Sequence, residues 1–292
     1  MNYLFDPAQL EVFGEKYYQG SEFSYRYQQN KKLFLKTNFI PFGPICETKA
    51  GLANFIQHIN SLKYTKTIIE LPIILSEKIK NEVTSALEQA GFRKEPYKVQ
   101  EKETLIIKKG EYKLKKKNRY YARKARKHYK IVLKKAEEIS EKDIQDAHKV
   151  HIDAADRIGY KKRTLEAFRK LAKNGVLALA YKKDSHEAAG YALSYISQIA
   201  IDGDLADKFK KEKASFMQIL FAGTMTDDDK LYPGYATYDD LIKAAFNKYN
   251  VDIIDLVGAG RERKFSYLVF KMKFSKDFVQ LPGRYVRGYR LF

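Results

Sequence analysis

Near its C-terminal end the chain reads Phe270-Lys271-Met272-Lys273-Phe274, two phenylalanines that frame a pair of lysines. This run follows Asp252-Ile253-Ile254-Asp255-Leu256-Val257, whose β-branched and apolar residues are typical of a buried strand. The strand leads into Gly258-Ala259-Gly260, which lacks the third glycine of a dinucleotide-binding loop. The order of strand, glycine-containing turn and aromatic-lysine run is the most specific pattern in the sequence.

The first half of the chain alternates segments that have the patterns of strands and helices. Residues 52–62 and 78–90 place their apolar side chains at helical spacing, and Gly91 follows the second of these helices as a stop signal. Residues 67–71 and 104–107 are rich in β-branched side chains and predict strands. This alternation indicates a mixed α/β module.

Residues 108–135 hold 14 Lys or Arg and a single acid, Glu111, and so carry about two thirds of the net charge of +19. The pattern predicts a helix over residues 115–128 followed by a strand over 129–133. We interpret this segment as a bridge between the two halves of the chain.

The second half opens with Ser140, a predicted helix N-cap with Asp143 as its capping-box partner, and Gly159 is placed to end that helix. Another helix is predicted over residues 163–172 and a later one over 238–249. Residues 176–181 and 188–196 predict two neighbouring antiparallel strands. The order of strands and helices is therefore similar in the two halves, although their sequences show too little identity to count as a repeat.

Four motifs resemble those of the Fem-type (FemABX) aminoacyltransferases. The run from Phe270 to Phe274 is similar to the family's Phe-Lys-x-x-Phe, and Arg157-Ile158-Gly159-Tyr160 to its Arg-x-x-aromatic element. Arg119 and Arg123-Lys124-Ala125 fall on the family's basic stretch. Phe39-Ile40-Pro41-Phe42-Gly43-Pro44 resembles an aromatic-Ile-Pro-Arg-Gly-Pro turn in which Phe42 replaces the arginine.

The resemblance implies an α/β fold of mixed sheets, built from two tandem GNAT-like acyltransferase modules joined by the basic helix. We expect the first module to cover residues 1–128 and the second to cover residues 129–292. The C-terminal segment is a candidate for packing back on the first module.

For the active site the resemblance implies catalytic roles for Lys271 and Phe270. Lys271 would face the cleft between the modules, where it would contact the acceptor or stabilise the oxyanion that forms when an amine attacks an ester carbonyl. The alternative is that Phe270 and Phe274 are core residues and that Lys271 is an exposed strand residue. The same resemblance assigns substrate binding to Arg157, Tyr160, Gly43 and Pro44, although Arg157 also suits a helix C-terminus.

The basic helix is predicted to bind tRNA or phosphate. At 3.6 residues per turn, four of these cations lie on one face and can reach consecutive phosphates: Arg119, Arg123, Arg126 and Lys130. Tyr120 and Tyr121 can stack on bases or pack inward. The alternative is a solvated linker helix. The predicted phosphate-binding residues are Arg119, Arg123, Lys124, Arg126 and Lys130.

The resemblance implies that an amino acid is transferred from aminoacyl-tRNA to an amine of a nucleotide- or lipid-linked sugar-peptide precursor of peptidoglycan. Direct attack of the amine on the activated ester needs no cofactor and no covalent enzyme intermediate. Two alternatives remain open: an acyl-CoA-dependent N-acyltransferase, and a non-catalytic RNA-binding protein.

Composition limits the remaining choices. The positive charge favours polyanionic partners, which include an anionic membrane surface that the protein could contact peripherally. A single cysteine, Cys46, excludes an internal disulfide and a cysteine-based metal cluster. His148 and His151 are one helical turn apart, but no third ligand is evident, so no metal is predicted. The absence of signal-peptide and membrane-span patterns predicts a cytoplasmic protein, and the sequence does not indicate an oligomeric state.

Overall fold

The computed structural model describes most of the chain and divides it into two compact units. Unit 1 comprises Met1–Thr104, Gln198–Ala214 and Val279–Phe292, and unit 2 comprises Leu105–Ser197 and Ser215–Phe278. The structure describes residues 16–32, 35–41, 43–46, 48–95, 103–160, 162–225, 230–257 and 266–288. Phe42 and the run from Gly258 to Gly260 lie outside the described residues.

Unit 1 is built on a seven-stranded mixed sheet. Its strands are β1 (Lys16–Gln19), β2 (Phe23–Lys32), β3 (Leu35–Pro41), β4 (Ile45–Cys46), β5 (Lys66–Glu70), β6 (Arg93–Glu95) and β14 (Arg284–Gly288). The order is β1-β2-β3-β5-β14-β6, with β4 paired to β2. Strands β3 and β5 are parallel, and β14 lies antiparallel between β5 and β6. The C-terminal strand therefore belongs to the sheet of unit 1.

Helices α1 (Lys49–Ser61) and α2 (Glu77–Gln89) contribute side chains to the core of unit 1, and a short helix, α6 (Gly203–Phe209), belongs to the same unit. Phe55 from α1 and Leu87 from α2 are fully buried. The N-terminus of α2 is capped by Ser76, and Asp202 accepts hydrogen bonds from the Ser76 hydroxyl and from two main-chain amides of the first turn. These bonds satisfy amides that would otherwise lack partners.

A second seven-stranded mixed sheet, ordered β13-β7-β12-β11-β10-β9-β8, forms the framework of unit 2. Its strands are β7 (Glu103–Lys108), β8 (Tyr129–Lys135), β9 (Gly175–Lys182), β10 (Ala188–Ala200), β11 (Lys213–Thr224), β12 (Ile253–Asp255) and β13 (Asp277–Gln280). Strands β11 and β12 are parallel, whereas β12 pairs antiparallel with β7.

The helices of unit 2 are α3 (Lys116–His128), a 3-10 turn (Ala136–Glu138), α4 (Glu141–Ile158), α5 (Leu165–Ala172), α7 (Pro233–Asn247) and α8 (Ser266–Lys271). Among them, α4 begins and ends at the capping residues that the sequence predicts. The predicted capping box is confirmed, because the side chains of Ser140 and Asp143 each accept the other residue's main-chain amide. Gly159 ends α4 in the left-handed conformation, with φ of 81°, which explains the need for glycine there.

The division into units differs from the sequence-based boundary after residue 128. Strand β7 joins the second sheet beside β12, and α3 packs against α7 through ion pairs from Arg126 to Asp239 and Asp240. Because of these contacts, residues 105–128 belong to unit 2 rather than to unit 1. Residues 198–214 belong to unit 1, although they interrupt unit 2 in the sequence.

Several elements were not apparent in the sequence, notably α6 and β11 in a polar, weakly patterned region. Residues near the C-terminal aromatic-lysine run were open to a strand interpretation, and the structure instead forms helix α8 up to Lys271, followed by a turn. Among the described helices, none combines the length and the apolar composition that a membrane span requires.

Candidate active site

A cavity of about 350 Å³ lies within unit 2 beside the C-terminal end of β11. The end of α4, the N-terminal turn of α7 and the end of α8 provide its other walls. Every residue that lines it belongs to unit 2. Four residues predicted from the sequence lie together here, although they come from positions more than a hundred residues apart: Arg157, Tyr160, Phe270 and Lys271.

Two glycines keep this cavity open. A Cβ atom at Gly223 would lie 3.0 Å from Cε1 of Tyr191 and 3.1 Å from Cβ of Ala154. At Gly234, in the first turn of α7, it would lie 3.2 Å from Cγ2 of Thr224. Such contacts are tighter than ordinary van der Waals packing, so any larger residue at either position would displace a wall of the cavity.

Arg157 and Tyr160 reach the cavity because α4 ends between them at Gly159. The guanidinium of Arg157 is exposed and donates a hydrogen bond from Nη2 to the carbonyl oxygen of Thr224 at 2.7 Å. The hydroxyl of Tyr160 is buried and has no hydrogen-bond partner among the described residues. Burial raises the pKa of Tyr160, so this hydroxyl stays protonated and can donate.

Lys271 is the last residue of α8 and is half-buried. Its Nζ donates a hydrogen bond to the main-chain carbonyl oxygen of Val257. Phe270 packs edge-on against Tyr235 and Tyr238, with ring centroids 5.3 and 5.2 Å apart. Phe270 therefore forms part of the apolar wall, and Lys271 brings a cation to it.

Tyr191 and Tyr238 complete the inner part of the cavity. Tyr191 is 1% exposed and Tyr238 is 4% exposed, and burial raises the pKa of both hydroxyls. Behind Tyr191 lies His151, which is also buried and forms hydrogen bonds through both ring nitrogens. The cavity thus combines aromatic walls, protonated tyrosine hydroxyls and two cationic side chains.

Tyr191, Gly223 and Tyr238 line the cavity but were not predicted as residues of the site. Tyr191 alternates with small residues in β10, a pattern that any buried strand shows. Gly223 lies in β11, a strand that was not predicted because both of its faces are largely buried and it lacks a period-two alternation. The helical spacing of apolar residues in α7 indicates that one face of the helix is buried. It does not indicate that Tyr238 lines a cavity.

Gly43 and Pro44, the other predicted substrate-binding residues, lie in unit 1 and are not among the residues that line this cavity. Both are buried between β3 and β4, joined by a cis peptide bond. The amide of Gly43 donates a 3.3 Å hydrogen bond to the carbonyl oxygen of Glu70 in β5. Gly43 and Pro44 therefore lie in the connection from β3 to β4, and the hydrogen bond to Glu70 attaches this connection to β5.

The predicted phosphate-binding cations fall into two groups. Arg119, Arg123 and Lys130 are exposed, with Lys130 on β8 just beyond the end of α3. Arg126 instead forms ion pairs with Asp239 and Asp240, and Lys124 donates to the carbonyl oxygen of Lys230. Lys124 and Arg126 therefore help to attach α3 to its surroundings.

The two tyrosines of α3 likewise differ in their exposure to solvent. Tyr120 is 57% exposed, whereas Tyr121 is half-buried and packs against Tyr232 and Tyr235. Of these two tyrosines, only Tyr120 is exposed enough to stack on a nucleic-acid base. In the described part of the chain, no group of three or more His, Cys, Asp or Glu side chains is arranged to hold a metal ion.

Comparison with solved structures relates this geometry to known folds. FemX superposes with a TM-score of 0.65 at 12% identity, over 96% of this chain and 90% of FemX. This chain has the FemX fold. The TM-score is 0.64, also at 12% identity, for two further structures. They are L-PGS from Bacillus licheniformis, over 99% of this chain and 94% of that one, and the C-terminal domain of a putative lysylphosphatidylglycerol synthetase from Agrobacterium fabrum, over 97% and 86%.

The likeness to FemX and the two mixed sheets confirm the mixed α/β fold class predicted from the motifs. No family model matches the sequence, and no curated protein is significantly similar to it in sequence. At 12% identity the likeness to FemX concerns the fold alone.

Proposed function

We propose that the protein transfers an aminoacyl group from aminoacyl-tRNA to an amine of a peptidoglycan precursor peptide. The observation that carries this proposal is the presence of Arg157, Tyr160 and Lys271 in the wall of one cavity. These residues belong to two separate motifs that resemble those of the Fem-type family. Their convergence within the FemX fold supports a common role.

In this proposal Lys271 supplies positive charge at the reacting carbonyl. When an amine attacks an ester, the carbonyl oxygen becomes negative, and a fixed donor or cation near that oxygen lowers the barrier by about 3 kcal/mol. The hydrogen bond to Val257 limits the freedom of the ammonium. Its half-buried position also reduces screening by water, which strengthens its effect.

The acceptor amine attacks the ester directly. The only cysteine, Cys46, is 2% exposed in unit 1, and burial raises the pKa of its thiol to about 12. A thiol with so high a pKa is a poor nucleophile at neutral pH, because the thiolate is the reactive form. A covalent cysteine intermediate is therefore disfavoured, and direct transfer needs only the positioning of two substrates.

The donor tRNA is held by exposed cations. Arg119 and Arg123 are one turn apart on α3, and both are exposed. Their neighbours on the helix are also largely basic, so this face has a strongly positive potential that attracts a nucleic-acid backbone. Arg157, at the mouth of the cavity, is suited to a phosphate or carboxylate of the acceptor.

A second candidate function is acyl-CoA-dependent N-acylation. The N-terminal turn of α7 lines the cavity at Gly234, and helix N-termini bind diphosphates such as that of coenzyme A. The N-terminus of α7 suits a diphosphate-linked acceptor equally well. Its position at the cavity therefore does not distinguish acyl-CoA from aminoacyl-tRNA as the donor.

A donor comparison tests the proposal. Purified protein is incubated with a nucleotide-linked sugar-pentapeptide or with phosphatidylglycerol vesicles, and with either radiolabelled aminoacyl-tRNA or acetyl-CoA. We expect acceptor-dependent loss of label from tRNA and no consumption of acetyl-CoA. Consumption of acetyl-CoA without tRNA would favour the second candidate. Transfer to phosphatidylglycerol rather than to the peptide would keep the donor but change the acceptor class.

A further inference from the structure

His151 and Tyr191 form a buried hydrogen bond behind the cavity. The distance from Nδ1 of His151 to Oη of Tyr191 is 2.7 Å, and the two residues are 3% and 1% exposed. On the other side of the ring, Nε2 of His151 accepts a 2.9 Å hydrogen bond from the main-chain amide of Arg163. Neither side chain has a role in the transfer chemistry that the motifs imply.

The amide of Arg163 fixes the position of the imidazole proton. A main-chain amide can only donate, so Nε2 of His151 carries no proton. Burial lowers the pKa of His151 to about 4, and the ring is therefore neutral at physiological pH. A neutral imidazole without a proton on Nε2 carries it on Nδ1, so His151 donates to the hydroxyl oxygen of Tyr191.

This arrangement makes Tyr191 a hydrogen-bond donor toward the cavity. Its oxygen already accepts from His151, and within the described residues its hydroxyl makes no other hydrogen bond. The hydroxyl proton is thus available to a ligand. Tyr160 adds a second unpartnered hydroxyl nearby, and Gly223 leaves space beside both tyrosines.

We propose that Tyr191, oriented by His151, donates a hydrogen bond to the carbonyl oxygen of the acyl group that occupies the cavity. The inference rests on the proposed function, in which that oxygen belongs to the aminoacyl ester. The hydrogen bond strengthens as the oxygen becomes negative during attack by the amine, and Tyr191 keeps its proton throughout. His151 is a positioning residue, because it acts through Tyr191.

Kinetic variants separate this role from a structural one. Tyr191→Phe removes the donor, and we expect kcat/KM to fall about tenfold to a hundredfold. His151→Asn retains an amide donor near the Nδ1 position, whereas His151→Gln places its amide near Nε2 and no longer reaches Tyr191. We expect His151→Asn to retain most of kcat and His151→Gln to lose as much as Tyr191→Phe. Equal losses in the two histidine variants would overturn the positioning role.

A spectroscopic measurement decides the geometry without any turnover. In ¹⁵N-labelled protein we expect His151 to show the Nδ1–H tautomer at pH 7. Titration with alaninamide, a simple carbonyl probe, should shift its Nδ1 signal, and Tyr191→Phe should weaken this binding severalfold. An Nε2–H tautomer, an unmoved signal or equal binding by the variant would overturn the inference. If these spectra agree with expectation but no aminoacyl group is transferred from tRNA, the proposed function alone fails.

Discussion

Lys271 donates a hydrogen bond from its Nζ to the main-chain carbonyl oxygen of Val257. The bond joins the end of α8 to the chain just after β12 and holds the ammonium at the wall of the cavity. A cation fixed in this way does not need to be reoriented when negative charge develops on a substrate oxygen. Such preorganisation is the physical basis of the catalytic role that we propose for Lys271.

Removing the charge of Lys271 should slow transfer severely and leave the fold intact. Lys271→Met keeps the length of the side chain but removes the ammonium, and we expect kcat to fall by about 100-fold to 1000-fold. Lys273→Met is the matched control, because Lys273 is exposed two residues later and does not line the cavity. Turnover and melting temperature are measured for both. An active Lys271→Met protein would place the reacting centre elsewhere.

The exposed cations of α3 should set the salt dependence of tRNA binding. For the double variant Arg119→Gln/Arg123→Gln we expect weaker binding. The slope of log K against log salt should fall by about one for each phosphate that the variant no longer binds. Lys173→Gln, an exposed lysine after α5, serves as the control. Filter binding over a range of salt concentrations measures the slope. A slope equal to that of the wild type would remove the tRNA-binding role of this face.

Asp239 should be a major contributor to the stability of unit 2. The carboxylate is 2% exposed and accepts hydrogen bonds from Arg126, Lys243 and Tyr112, and these partners outweigh its burial and lower its pKa. Asp239→Ala leaves Arg126 and Tyr112 without this partner, and we expect a loss of about 3 kcal/mol in the free energy of unfolding. Urea titration measures it, with the exposed Asp184→Ala as control. A loss below about 1 kcal/mol would show that the cluster is dispensable.

His151 should make stability fall with acidification. The pKa of its imidazole is lowered from 6.5 to about 4 in the folded protein, so the unfolded chain binds the proton more readily between these values. The contribution is fully present above pH 6.5 and disappears as the pH falls toward 4, by about 3 kcal/mol in total. Urea unfolding at about pH 7 and about pH 4.5 should therefore show a smaller pH effect in His151→Asn than in wild type. The same pH effect in both proteins would contradict the assignment.

The elements with strong local signals could be predicted from the sequence. The capping pair Ser140 and Asp143 and the terminator Gly159 place α4 almost to the residue, because these signals act within one turn of the chain. Strand β11 was missed, since both of its faces are largely buried and it lacks the alternation of a half-exposed strand. The wall that β11 contributes to the cavity was therefore missed with it.

The candidate site shows the same limit. Lys271 and Arg157 could be predicted because motifs mark them, whereas Tyr191 is marked only by its partners in three dimensions. For the basic helix α3, the sequence predicted a role that the structure does not support for every residue. Helical spacing placed Arg126 on the same face as Arg119 and Arg123. The carboxylates that bind Arg126, however, come from α7, more than a hundred residues later in the chain. Spacing along one helix cannot reveal a partner on another.

The most direct measurement of the central claim is the mass of the acceptor after incubation with wild-type protein, aminoacyl-tRNA and a nucleotide-linked sugar-pentapeptide. We predict that the peptide gains the mass of one amino-acid residue, and that the initial rate of this gain falls by at least about 100-fold in Lys271→Met but not in Lys273→Met. An unchanged peptide with wild-type protein, or a gain that appears only with acyl-CoA as donor, would contradict aminoacyl transfer by this cavity.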